Sequence, residues 1–153
     1  MIALIQRVNS ASVEIDSKLH SKTSKGFLIL LGVYNGDTVK EAEILASKVS
    51  KLRIFEDDNG KMNLSPLQLI ESGKTCEMMV VSQFTLCADC KGQNRPSFIN
   101  AARPDTAVPL YEKFVSLLKD FGFAVSTGEF GADMQVSLVN DGPVTIILDT
   151  DKL

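Results

Sequence analysis

The chain has 153 residues, of which 44% are hydrophobic and 23% charged, and this balance is that of a globular domain rather than a disordered or fibrous chain. The net charge of −3 argues against a protein that coats nucleic-acid phosphates through clustered positive charge. The first residues lack the basic and apolar regions of a signal peptide, no apolar run approaches the roughly 20 residues of a transmembrane helix, and an odd cysteine count suggests no disulfide framework. We therefore expect a single cytoplasmic domain over residues 1–153, with no membrane partner.

The first predicted elements are strands. Residues 2–8 and 11–15 have the composition of two strands, which we expect to be joined by a tight turn at Asn9 and Ser10. Residues 27–33 form a continuous apolar run, which predicts a strand buried on both faces.

A helix is predicted next. Thr38 and Glu41 have the spacing of a capping box, and Asp37 is an alternative cap. Residues 52–55 then predict the beginning of another strand, and residues 57–60 predict a turn. The apolar residues of this helix recur at helical spacing at Val39, Ala42, Leu45, Ala46, Val49 and Leu52.

The second half begins with residues 75–86, which predict a buried strand that runs into a polar motif. A second helix is expected between about Asp105 and Phe121, with Gly122 as its C-terminal stop. Pro109 lacks an N–H group, which favours a place in the first turn and a helix start near Thr106.

Two strands close the predicted set, at residues 134–139 and 144–148, separated only by residues 140–143. The order of strands and helices implies an α/β or α+β domain, in which barrel-like sheet layers are covered by two main helices.

The usual catalytic and metal-binding residues are scarce. His20, the only histidine, lies in a polar stretch typical of a hairpin turn and has no triad context. Cys87 and Cys90 form a single C-x-x-C pair without further zinc ligands, so we interpret them as thiols on a loop, and Cys76 as a core residue. No nucleotide-phosphate motif is present. We expect neither a metal nor a cofactor.

Two polar segments stand where a strand pattern predicts core. Residues 82–85 could offer donors at a sheet edge, or form a strand-terminal turn that satisfies its own backbone. Residues 140–145 could be a plain hairpin turn. If the Gly142–Pro143 bond were cis, the carbonyl groups of these two residues would point in nearly the same direction and form a rigid gate.

The two segments belong to a longer series of fragments. Together and in this order, the fragments resemble the D-aminoacyl-tRNA deacylase family over essentially the whole chain. This sequence departs from relatives at Cys87, at Cys90 and at residues 146–147, outside the two polar segments. The fragments are residues 1–8, 30–33, 53–55, 60–64, 81–86, 95–98, 111–112, 128, 130, 132–138 and 140–145.

The resemblance implies a homodimer with one site per subunit near the interface, acting on the 3′ acceptor end of D-aminoacyl-tRNA. It implies that Gly142 and Pro143 reach into the partner's site and reject L-amino acids. The residues it assigns to lining the catalytic site are Ser82, Gln83, Phe84 and Thr85. Those it places near the terminal adenosine are Phe130, Ala132 and Met134.

The reaction implied is hydrolysis of the ester of D-aminoacyl-tRNA, and also of glycyl-tRNA. Thr85 has no base placed by motif, so we favour a water activated by the ribose 2′-hydroxyl, with the N–H groups near Phe84 and Thr85 holding the carbonyl oxygen. Lys91 and Arg95 could meet RNA phosphates or be ordinary surface charges. The alternatives are a nonenzymatic nucleic-acid-binding module on the same fold and a generic ester or amide hydrolase that uses Thr85.

Overall fold

Eight strands and three helices make up the structure, a computed structural model that describes residues 1–153. The strands are β1 (Ile2–Ile15), β2 (Lys18–Thr23), β3 (Gly26–Gly32), β4 (Phe55–Glu56), β5 (Met62–Leu64), β6 (Glu77–Ser82), β7 (Val125–Thr127) and β8 (Gln135–Asp149). The helices are α1 (Val39–Ser50), α2 (Pro66–Glu71) and α3 (Pro104–Asp120), and short 3-10 turns cover Phe84–Cys87 and Thr150–Lys152. None of these helices combines the length and the apolar character that crossing a membrane requires.

The long strand β1 organises the main sheet. Its first half pairs antiparallel with β3, its second half pairs antiparallel with β2, and β8 runs along both halves. Strand β3 continues in parallel to β6, and β6 to β7. The result is a six-stranded, nearly closed barrel-like sheet in a single α+β domain, which confirms the predicted fold class.

Strand β3 separates two apolar clusters. Phe27, Ile29 and Leu31 face the main core beneath the helices, whereas Leu28 belongs to a smaller cluster with Val81 on the other face. The prediction of a strand buried on both faces is therefore confirmed. The cleft described below opens on the side of the smaller cluster.

Two predicted turns are wrong, and both errors have one cause. Strand β1 runs through Asn9 and Ser10 without a turn, and β8 runs through residues 140–143 without a hairpin. Strands β1 and β8 are paired before and after both places, with register shifts on either side of Val8 that leave residues 141–144 without a partner on β1. The polar residues therefore mark a bulge, which uses the same residue types as a turn. The actual hairpin turn follows β1 at Asp16–Ser17, where both residues have positive φ.

The helices agree with the sequence in part. The capping box of Thr38 and Glu41 is present, while the carboxylate of Asp37 instead accepts hydrogen bonds from the Tyr34 N–H and the Met1 ammonium. Helix α3 begins at Pro104 rather than near Thr106, so Pro109 lies inside the helix. Pro104 suits the first helical position because it has no N–H to satisfy, and the burial of one face of α3 stabilises the helix despite the bond that Pro109 lacks.

Helix α2 was not predicted from the sequence. Its capping box joins Ser65 and Gln68, but its six residues are too short for a visible helical period. The strand expected at residues 52–55 begins only at Phe55, and the turn at residues 57–60 is confirmed. His20 lies in strand β2 rather than in a turn.

Tyr111 ties α3 to the main sheet. Its hydroxyl donates a 2.8 Å hydrogen bond to the carbonyl of Val80, and its ring lies edge-on to Phe130 with centroids 6.1 Å apart. Burial raises the pKa of Tyr111 to about 12, from an ordinary value of 10.0. The neutral phenol is therefore preferred in the folded state more strongly than in the unfolded state.

This preference predicts a loss of stability at high pH. Because the folded pKa is raised, the contribution of Tyr111 is complete below pH 10 and declines as the pH rises from about 10 to 12, by an amount on the order of 2 kcal/mol. We expect Tyr111→Phe to be about 1 kcal/mol less stable at neutral pH, and this difference to narrow above pH 10 and to reverse towards pH 12. Urea unfolding of both proteins at several pH values measures this difference in the free energy of unfolding. Parallel stability curves for the two proteins would contradict the prediction.

Candidate active site

A cleft of about 450 Å³ lies between the end of β6, the first half of α3 and the segment before β8. It brings together six of the nine residues that the sequence singled out, although they come from distant parts of the chain. Thr85, Gly142 and Pro143 do not line it. The six that do are Ser82, Gln83, Phe84, Phe130, Ala132 and Met134.

The end of β6 is fixed against β3. Ser82 is in register with Leu31, and the Gln83 N–H donates a 2.8 Å hydrogen bond to the Leu31 carbonyl. Gly32 permits this close approach, because a Cβ atom there would lie 3.2 Å from the Gln83 carbonyl oxygen and 2.9 Å from a side-chain carbon of Ile2. The backbone is thereby held where the chain leaves the strand for the 3-10 turn.

The 3-10 turn presents main-chain donors. It begins at Phe84, and the first N–H groups of a helix have no acceptor inside it. The N–H groups of Phe84 and Thr85 occupy these leading positions, next to the cleft residues Ser82 and Gln83. Such a pair of donors can hold a developing negative charge on a carbonyl oxygen.

Thr85 itself is exposed, and its hydroxyl donates a 2.7 Å hydrogen bond to the Oε1 atom of Gln83. The hydroxyl proton is thus bound to a neutral amide rather than to a base. A threonine hydroxyl needs an adjacent base to become a good nucleophile, so this geometry favours a structural part for the Thr85 side chain.

The segment that leads into β8 closes the other side of the cleft. The Gly128 N–H donates to the Val80 carbonyl at 3.1 Å, and Met134 packs so closely that a Cβ atom on Gly128 would lie 2.5 Å from its sulfur. Phe130 is held by its contact with Tyr111. The apolar wall thus formed can accept a flat ring, while Asp133 provides the one carboxylate of the cleft.

Several cleft residues were missed by the sequence reasoning. Gln6 lines the cleft from β1, and Tyr111 lines it from α3. A polar residue within the otherwise apolar start of β1 was the signal for Gln6. Tyr111 belongs to one of the fragments that resemble the family, but its spacing in the helix is that of a core residue, so the sequence gave it no place in the cleft.

The Gly142–Pro143 peptide bond is cis, and both residues are exposed on their own chain. Buried Arg7 anchors the segment: its Nε donates to the Asp141 carbonyl at 3.1 Å, and its Nη1 donates to the Ile54 carbonyl at 2.5 Å. Gly142 has a φ of 123°, and a Cβ atom there would lie 2.9 Å from a methyl carbon of Val144. Backbone shape and space both require glycine at this position.

The cysteines take no evident part in the cleft. Cys87 lies in the 3-10 turn rather than on a loop, and burial raises its pKa to about 11, which keeps it a thiol at neutral pH. Cys76 is buried in the core just before β6, and Cys90 is exposed. No group of three His, Cys, Asp or Glu side chains is arranged to hold a metal ion.

Comparisons with known proteins bear on the whole chain. A family model described as D-Tyr-tRNA(Tyr) deacylase matches residues 4–149. A D-aminoacyl-tRNA deacylase of Thermosipho africanus is 51% identical over 153 residues, covering 100% of this chain and 99% of the relative. One of Desulfatibacillum aliphaticivorans is 55% identical over 150 residues, covering 98% and 99%.

Two solved structures share the fold. The "c-Myc DNA Unwinding Element Binding Protein" superposes with a TM-score of 0.85 and 38% identity, covering 97% of this chain and 98% of that one. A "probable eukaryotic D-amino acid tRNA deacylase" superposes with a TM-score of 0.79 at 15% identity, covering 96% and 97%, which shows the fold alone. Because the family model matches nearly the whole chain and the relatives align over their whole length, the chain belongs to the D-Tyr-tRNA(Tyr) deacylase family, a family of enzymes.

Proposed function

We propose that this chain hydrolyses the ester bond of D-aminoacyl-tRNA, releasing a free D-amino acid and tRNA. The observation that carries the proposal is the cleft, in which the end of β6 and the segment at residues 130–134 face one another in a member of this family. We assign the amino acid to the side of Ser82, Gln83 and Phe84. The terminal adenosine then lies against Phe130, Ala132 and Met134.

The proposed mechanism needs no protein base. The ribose 2′-hydroxyl activates a water molecule, whose oxygen attacks the ester carbonyl carbon. The 2′-hydroxyl accepts a proton from this water and passes its own proton to the neighbouring ribose oxygen as the bond from that oxygen to the carbonyl carbon breaks. The Phe84 and Thr85 N–H groups hold the carbonyl oxygen as its charge develops, and one such donor typically contributes about 3 kcal/mol.

This mechanism predicts a small effect of Thr85→Ala. The variant loses only a hydrogen bond to Gln83, so we expect the single-turnover rate with D-tyrosyl-tRNA to fall by less than about tenfold. Removal of a nucleophile would instead lower it by about a thousandfold or more. Thr85→Ser, which keeps the hydroxyl, is the matched control. A thousandfold lower rate in Thr85→Ala, together with a near-normal rate in Thr85→Ser, would instead establish the Thr85 hydroxyl as the nucleophile. The protein would then match the alternative of a generic hydrolase.

We further propose that the Gly142–Pro143 gate works on the cleft of a second subunit in a homodimer. Both residues are exposed and absent from the lining of their own cleft, which supports a place in a partner's cleft. In that position their carbonyl groups would occupy the space of an L side chain, while a D side chain would point outward. Glycine has no side chain to exclude.

The gate predicts a specific order of substrates. Purified protein should hydrolyse D-tyrosyl-tRNA faster than L-tyrosyl-tRNA by a factor on the order of a hundred or more, and should cleave glycyl-tRNA measurably. Time courses with the three matched substrates test this. Cleavage of neither tyrosyl substrate would contradict the proposed function, and complete inertness toward glycyl-tRNA would contradict exclusion by side-chain volume.

An apolar patch on the sheet supports the homodimer. Ile147 is in register with Leu4 on β1, and Leu4 with Leu30 on β3, so the three side chains lie side by side on one face. Leu30 also lines the cleft, which places the patch beside the cleft. Ile147 is 62% exposed, and covering it requires another molecule.

We expect Ile147→Lys to weaken the dimer by about a hundredfold or more, because burial of an unpaired charge costs several kcal/mol. Sedimentation velocity should then show monomers at micromolar concentration. The rate of D-tyrosyl-tRNA hydrolysis should decrease as the dimer dissociates. Leu19→Lys is the matched control, since Leu19 is also a strand residue with 58% exposure. An active monomer would overturn the shared site.

The second candidate function is nucleic-acid binding without catalysis. The 38% identical structure is named for binding DNA, and a nonenzymatic nucleic-acid-binding module would bind tRNA without cleaving it. Such a module favours a clustered basic face, whereas this chain has a net charge of −3 and a cleft without a lysine or arginine. We therefore favour the enzyme. Because aminoacyl-tRNA is used in translation, we also propose a cytoplasmic location.

A further inference from the structure

The loop at residues 89–97 is a closed hairpin outside the cleft. The Asp89 N–H donates to the Ser97 carbonyl, and the Ser97 N–H donates to the Asp89 carbonyl, both at 2.8 Å. The Asp89 side chain also accepts from the Lys91 N–H at 2.8 Å. Lys91 and Arg95 are thus displayed, exposed, on a loop whose two ends are joined.

An exposed aromatic pair lies where this hairpin ends. Phe98 directly follows Ser97, and its ring meets Phe84 edge-on, with centroids 5.0 Å apart and an interplanar angle of 71°. The Asn35 side chain donates to the Ile99 carbonyl at 2.7 Å, which anchors the backbone next to Phe98. Phe84 and Phe98 remain 56% and 38% exposed. Two large rings held in place but open to solvent form a ready surface for a ligand.

We infer that Phe84 and Phe98, with Lys91 and Arg95, bind the unpaired nucleotides that precede the terminal adenosine of tRNA; this inference rests on the proposed function. Phe84 joins the two sites, because it lines the cleft and also contacts Phe98. Phe84 is 56% exposed at the rim of the cleft, so the nucleotides that precede a terminal adenosine in the cleft can pass over its ring, while its main-chain N–H faces the ester. There the exposed rings can stack on bases, and the hairpin cations can neutralise phosphates.

The chemistry of single-stranded RNA fits this surface better than that of a folded partner. Every base has a flat face that stacks on an aromatic ring whatever its identity, so two rings suffice for one or two nucleotides. Lys91 and Arg95 lie between Phe84 and Phe98 in the chain, so the hairpin supplies positive charge next to the rings in sequence. The acidic net charge of the protein is compatible with this, because only a few phosphates are contacted.

Two substrates separate this surface from the cleft. One is D-tyrosyl-tRNA, and the other is the D-tyrosyl ester of adenosine, which ends at the cleft and lacks the preceding nucleotides. For Phe98→Ala we expect the ratio of kcat/KM on the tRNA to kcat/KM on the short ester to fall by about tenfold or more, through KM. Phe98→Tyr, which keeps the ring, should restore the ratio. Ile99→Ala is the matched control, since Ile99 is apolar and 80% exposed but not aromatic.

Arg95→Ala provides an independent measurement. Its KM on the tRNA substrate should depend less steeply on salt concentration, by a slope of about 0.7 for one phosphate contact. An unchanged ratio in Phe98→Ala together with an unchanged salt slope in Arg95→Ala would overturn the inference. So would dissociation of a dimer by Phe98→Ala in sedimentation velocity, which would assign the rings to a second copy of the chain. Wild-type protein that cleaves neither substrate would overturn the proposed function itself.

Discussion

The long antiparallel pairing of β1 with β8 is the constraint on which the rest of the molecule depends. It joins the two ends of the chain over the length of the sheet, and its register shifts around Val8 set residues 140–143 out from regular strand geometry. Arg7, one residue earlier, then anchors Asp141 from within the protein. A single strand pair thereby fixes the exposed Gly142–Pro143 segment and, through Ile147, one edge of the apolar patch.

The cleft follows from a second, local constraint at the end of β6. Parallel pairing with β3 places Ser82 at the end of the strand, and the absence of a side chain at Gly32 leaves room for Gln83 against Leu31. The 3-10 turn begins there, and its leading N–H groups have no acceptor within the turn. The opposite wall is attached to the same strand, since Tyr111 and Gly128 both donate to the carbonyl of Val80. Both walls of the cleft are thus held in place by hydrogen bonds to β6 or by continuation of that strand.

Sequence reasoning succeeded where the determining interactions are local. The capping box of Thr38 and the apolar run of β3 each depend on neighbours within a few residues, and both were predicted. It failed at residues 9–10 and 140–143, because a bulge between long paired strands has the composition of a turn and only the partner strand distinguishes them. Pro109 misled for a related reason, since burial of the α3 face outweighs its missing bond. At the site, the motif residues were recognised individually, but Gln6 and Tyr111 join them only through packing.

Because the proposed donors at the 3-10 turn are main-chain N–H groups, their presence does not depend on which side chains the turn carries. A donor that belongs to the peptide backbone survives replacement of the side chain attached to it, so alanine at Thr85 would have little effect even where the Thr85 N–H takes part in the chemistry. The positions that matter are instead those that shape the path of the backbone, such as Gly32, where an added Cβ atom would lie 3.2 Å from the Gln83 carbonyl oxygen. A site of this kind is therefore sensitive to the glycines that surround it more than to a reactive side chain within it.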